Sequence, residues 1–171
     1  MKRIASVLVL GIAALAAGCA PPAPVKPTVP EVPPQQRLSA VLAAAGGDDK
    51  ELSVQPLRDP QVEDLRAKAA QAMAAQDYAA AADALNQALL IVADDPAVLQ
   101  ERAEVALVQG EYERAQTLAQ RAVDLGSAVG PLCRRHWATI EQAQQALGLD
   151  TEAAVSHGKI EGCTVSGVNR M

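Results

Sequence analysis

The 171-residue chain has no phenylalanine, one tryptophan and two tyrosines, which leaves little from which an aromatic peptide-binding cage could be built. Histidine is as scarce, with His136 and His157 alone. No Gly-x-Ser-x-Gly elbow, phosphate-binding glycine loop or His-Glu-x-x-His occurs, so the chain offers no catalytic constellation and calls for no cofactor. Basic clusters are missing too. The largest after the N-terminus is Arg134-Arg135 in a chain of formal charge -5, which disfavours nucleic acid and anionic surfaces as partners, because neutralising phosphates takes a basic stripe. The longest apolar run, Ile4 to Ala17, is 14 residues, short of the roughly 20 that span a bilayer as a helix.

What is present begins with a targeting segment. Lys2 and Arg3 precede the apolar run, as in a secretory leader. The run closes on Leu15-Ala16-Ala17-Gly18-Cys19, which resembles the lipobox of bacterial lipoproteins, with Ala16 where that motif usually has Leu. The resemblance implies cleavage before Cys19 and lipid on its thiol; the alternative is an ordinary signal peptide followed by a chance cysteine. Residues 20 to 36 hold seven prolines and favour an extended polyproline II tether that reaches about 50 Å at roughly 3.1 Å per residue. Ala20, in place of the Asp that commonly retains such lipoproteins at the inner membrane, implies an outer-membrane anchor facing the periplasm. Removing residues 1 to 18 takes away two of the 15 basic residues and none of the 20 acidic ones, a charge of 13 minus 20, or -7.

The boundaries that follow are a signal peptide at 1–18, lipidated Cys and Pro-rich linker at 19–36, a short helix and loop at 37–59, a helical domain at 60–163 and a tail at 164–171. Leu38, Val41, Leu42 and Ala45 mark the apolar face of the short helix, ended by Gly46-Gly47. Asp59-Pro60, Asp95-Pro96 and Gly130-Pro131 then open helices, since Pro is tolerated in a first turn and Asp accepts from its free amides. Helices are expected near 60–75, 78–93, 96–109, 112–125, 131–147 and 151–161, an all-α chain of three hairpins. Asp77-Tyr78 recurs as Glu111-Tyr112 after 34 residues, with Ala81 as Ala115 and Ala88 as Ala122.

This register resembles the tetratricopeptide repeat family over residues 62 to 163. Leu65, Lys68 and Ala69 match its first-helix positions, as do Leu99, Arg102 and Ala103. Lys68 and Arg102 stand where Leu is usual, so their stems are expected to pack while their charges reach water. The third hairpin, with Trp137, Ile140, Gly148 and Ala153, matches after an insertion of about four residues. The resemblance implies a solenoid with a concave groove lined by the first helices. Arg66, Met73, Gln100, Glu104, Leu107, Arg135 and Gln142 are the candidate groove residues, with Met73 and Leu107 as apolar anchors. Tyr78, Tyr112 and Trp137 fall on packing positions, and Glu101 with Arg102 and Glu111 with Arg114 read as solvated surface charge.

Cys133 and Cys163 lie where antiparallel helices bring the two ends of the third hairpin together, and in an oxidising periplasm a disulfide is expected. A zinc site joining them to His136 and His157 is the competing reading, though His157 lies about 9 Å along a helix from Cys163 at 1.5 Å per residue. The expected function is that of a membrane-anchored adaptor binding another envelope protein or peptide. Peptidoglycan synthesis or turnover, pilus or secretion assembly and outer-membrane protein insertion are the candidate pathways by analogy. The alternative is a structural lipoprotein that self-associates without a groove ligand; oligomeric state is open.

Overall fold

The computed structural model describes residues 31–46 and 59–164. The leader, Cys19, most of the Pro-rich linker, the loop before Asp59 and the tail from Val165 lie outside the described residues. Seven α-helices and no strands are found among those described: α1 (Pro34–Ala45), α2 (Pro60–Ala74), α3 (Tyr78–Ile91), α4 (Pro96–Val108), α5 (Tyr112–Leu125), α6 (Pro131–Ala146) and α7 (Asp150–Gly162). The pairs α2/α3, α4/α5 and α6/α7 are antiparallel hairpins, and α1 lies against α6 and α4.

Local chemistry accounts for the helix starts. Asp59 accepts from the amide of Gln61 at 2.8 Å, and Asp95 from those of Ala97 and Val98 at 2.8 and 3.2 Å. Each side chain satisfies donors that the first turn leaves unpaired, with Pro as the next residue. Asp77 does the same for Ala80 at 3.0 Å. The helix α1 begins at Pro34, so residues 34–36, assigned above to the linker, are helical; Pro at the first position starts the helix without losing a hydrogen bond.

One turn geometry joins all three hairpins. Gln76, Gly110 and Gly148 take left-handed φ values of 59°, 77° and 73°. The following amides, of Asp77, Glu111 and Leu149, each reach back to the carbonyls of Ala72, Ala106 and Gln144 at 2.9 Å. This is a Schellman closure repeated three times, with the spacing growing from 34 to 38 residues at the third. Gln76 is the one non-glycine among them and carries a Cβ in a region that costs roughly 1 kcal/mol or more. Gln76→Gly is expected to stabilise the domain by about 0.5 kcal/mol once the added freedom of the unfolded chain is subtracted, measurable as a higher urea midpoint.

The core is built largely from alanine. Between α2, α3 and α4, Val62, Ala69, Ala81, Ala84, Leu85, Ala88, Val98 and Val105 form one cluster, with Leu65 and Tyr78 packed on it half-buried. Ala103, Ala119 and Ile140 form another, against which Trp137 and Leu118 lie. The small side chains let the helices approach closely. Helix α4 is the centre: of its residues only Pro96 and Glu101 are not buried.

Candidate functional site

Helix α4 carries Gln100, Arg102 and Glu104 into the interior, where each bonds to a side chain of a neighbouring helix. Gln100 Nε2 donates to Glu104 Oε1 at 2.8 Å and to Thr139 Oγ1 at 2.7 Å. Both amide hydrogens are thereby used, so Gln100 Oε1 accepts, and the His136 ring nitrogen 2.7 Å away, Nδ1, is the donor. Arg135 closes the network with a forked pair to Glu104, Nε to Oε1 at 2.9 Å and Nη2 to Oε2 at 2.6 Å. Burial, with the neighbouring Arg135 charge adding to it, lowers the His136 pKa to about 4 and keeps the ring neutral. Its Nε2 has no partner among the described residues and faces Gly126, where an added Cβ would stand 3.2 Å from Nε2 and 2.7 Å from the Ala122 carbonyl. Glycine at 126 answers this close approach.

The concave face expected to be open is occupied. Helix α1 runs antiparallel to α6, with Arg37 Nη1 donating to the Gln142 carbonyl at 3.1 Å near one end and Arg134 Nε and Nη2 donating to the Ala45 carbonyl at 3.1 and 2.7 Å at the other. Val41 sits between them in a cluster with Ala106, Leu107, Ala115, Ala138 and Ala143, with Tyr112 packed against it half-buried. Of the candidate groove residues, Gln100, Glu104 and Leu107 are buried, Gln100 and Leu107 completely. Met73 packs half-buried on the first cluster. Arg135 is held by Glu104, while Arg66 bridges Glu63 on its own helix and Glu101 on α4, pairings that raise its pKa. Gln142 is half-buried with its carbonyl taken by Arg37. The seven residues take part in internal contacts.

Glu101 pairs with Arg66 and not with Arg102, since adjacent helical residues point to different sides. Arg102 does not reach water: its Nε donates to Asn86 at 3.0 Å, its Nη2 lies 3.8 Å from Glu111, its Nη1 has no partner, and burial lowers its pKa. Lys68 stays exposed, and Glu111 holds Arg114 at 3.0 Å.

At the far end Cys133 and Cys163 are joined in a disulfide with Cα atoms 5.7 Å apart, and the Gly130 amide donates to the Cys163 carbonyl at 2.8 Å beside it. The zinc constellation is not assembled. His136 is engaged with Gln100, His157 is exposed on Glu141 at 3.2 Å, and no group of three or more metal-ligating side chains occurs among the described residues. A cavity of about 240 Å³ lies next to the disulfide, walled by Val123, Ser127, Trp137 and Lys159. Apolar side chains are open to solvent at the C-terminal ends of α3 and α5: Leu90, 87% exposed, and Ile91 on the first and Leu125 on the second. No helix among the described residues is long and apolar enough to cross a membrane.

Three hairpins in one register, closed by the same turn, define a helical repeat protein. No family model matches the chain, and no curated protein matches it in sequence. Among solved structures it is similar to the globular C-terminal domain of LpoP from P. aeruginosa, at 28% sequence identity and a TM-score of 0.58, over 61% of this chain and 99% of that one.

Proposed function

We propose that the protein is a lipid-anchored lipoprotein of the bacterial outer membrane, and that its periplasm-facing repeat domain, of the tetratricopeptide type, binds a partner protein in peptidoglycan synthesis. The likeness to the LpoP domain carries this reading. It spans nearly the whole of that domain and favours peptidoglycan synthesis over the other two candidate pathways. The leader, Cys19 and the proline-rich stretch supply the anchor and the reach. The domain acts by holding its partner, with no chemistry of its own.

Leu107 is unsuited to probing the contact, because truncating a fully buried Leu costs about 2 to 5 kcal/mol and reports on folding. Photo-reactive residues at the exposed positions Leu90 and Leu125, together with Ala70 on α2, are the direct test in living cells. Adducts with a peptidoglycan synthase are the expected result. Adducts with pilus, secretion or insertion machinery would move the protein to another pathway, and adducts with itself alone would favour the self-associating structural role. For the anchor, Cys19→Ala is expected to abolish incorporation of labelled palmitate and to release the chain from the membrane fraction; undiminished labelling would place the lipid elsewhere.

A further inference from the structure

The cavity of about 240 Å³ beside the disulfide joins apolar walls to polar groups that lack partners among the described residues. Val123, the half-buried Trp137 and the Cys133–Cys163 bridge make its sides. His136 is wholly buried and Lys159 exposed, so the imidazole lies at the inner end and the ammonium at the mouth. The tautomer fixes what the imidazole can do. Its Nδ1–H is given to Gln100, which leaves Nε2 a lone-pair acceptor that no donor meets among the described residues. A buried acceptor left unpaired is costly, and a donor brought by a ligand relieves that cost. Gly126, which flanks Nε2, has no side chain to cover it, whereas a Cβ there would stand 3.2 Å away.

Charge divides along the same axis. Lys159 forms no ion pair among the described residues. Helix α6, whose first turn supplies Cys133, starts at Gly130 without a side-chain cap, so its N-terminal amides favour an anion. A cationic donor at the inner end is opposed, because the Arg135 charge already acts against protonation of His136. The donor is therefore neutral. We propose that this cavity binds a small apolar carboxylate carrying a hydroxyl at the end away from its charge, the hydroxyl donating to His136 Nε2 and the carboxylate resting between Lys159 and the first turn of α6. Sites for drug-sized molecules start at about 300 Å³, so the ligand is no larger than a single ring with a short acid arm. A phenol meets the description, with a flat apolar body to lie on Trp137 and a neutral O–H at its far end.

The site is independent of the partner and pathway proposed above. Trp137 is the only tryptophan, so its indole N–H resonance reports occupancy of the cavity without ambiguity. Titrating the full mature chain with para-hydroxyphenylpropionate should shift that resonance saturably, with a dissociation constant in the millimolar range or below, as a probe of this size allows. The nitrogen resonance of His136 Nε2 should move with it. Phenylpropionate, which lacks the hydroxyl, is expected to bind about 5- to 10-fold more weakly and to leave Nε2 where it stands. The uncharged para-hydroxyphenylpropionamide should bind about 10-fold more weakly than the acid, having lost both Lys159 and the helix terminus. Lys159→Ala, at an exposed position, is expected to weaken the acid about 3-fold and to leave the amide unchanged, a split that a disturbance of the fold would not give. No saturable shift at Trp137 would overturn the proposal. So would equal binding of the acids with and without the hydroxyl, an unmoved Nε2, or a Lys159→Ala chain that binds the acid as the parent does.

Discussion

Cys133→Ala/Cys163→Ala chains are expected to unfold with about 3 to 4 kcal/mol less stability than the parent, the largest effect foreseen for any pair of residues here. The two cysteines are 30 positions apart, and in the chain-entropy description a cross-link of that span removes this much freedom from the unfolded ensemble. The third hairpin has little to replace it. Helix α7 contributes only Ala153 and Ser156 as buried residues, and among the described residues its end is otherwise held by the half-buried Ile160 and by the bond from the Gly130 amide to the Cys163 carbonyl. Urea titrations of the parent with and without reductant, beside the double variant, measure the loss. Reductant and substitution should lower the midpoint alike and free the amides of α7 before those of α4. A loss below about 1 kcal/mol would mean that the unfolded chain is not constrained by the link.

Acid should weaken the domain through His136. Unfolded, the imidazole binds a proton near its ordinary value of 6.5; folded, it does so only near 4, because burial and Arg135 oppose the charge. Between those values the unfolded state binds more protons, so stability falls as pH is lowered through that window. The difference of 6.5 minus 4 corresponds to about 3 kcal/mol. The contribution is fully present above pH 6.5 and lost by about pH 4. Carboxylates titrate over part of the same range, so the measurement is a comparison. His136→Gln retains an amide donor for Gln100 and does not ionise. Its stability relative to the parent should improve by about 3 kcal/mol from pH 7 to pH 4, and a constant offset would refute the assignment.

The starts of α2 and α4 and the three hairpin turns were legible because they rest on local chemistry, aspartate before proline and a left-handed residue, whereas the start of α1 at Pro34 was hidden in the proline-rich run. The 34-residue echo from Tyr78 to Tyr112 set the hairpins in register for the same reason, although the tyrosines are half-buried and open their helices without being enclosed. What could not be read were contacts made by polar residues at long range. Arg37 counts as polar in any periodic pattern, so the apolar spacing of α1 selects Leu38, Val41, Leu42 and Ala45; Val41 is buried and Leu38 and Ala45 half-buried, but Leu42 is open to solvent and Arg37 is buried in its stead. Gln100 and Glu104 looked like a mixed groove because their partners, Thr139, Arg135 and His136, lie more than 30 positions on. Sequence spacing carries the helix period and says nothing about which distant helix closes over a polar face.

The seat of α1 spans two repeats, resting on α4 from one hairpin and on α6 from the next. Solenoids ordinarily grow by duplicating a unit, because each unit meets only its neighbours. Here a hairpin inserted between the second and third would part the two walls that α1 bridges and separate Arg134 from Leu107. Elongation on that side therefore requires the bridging helix to be lost first, while among the described residues the junction between the first and second hairpins carries no such strap. The array has one expandable joint and one that is fixed in length.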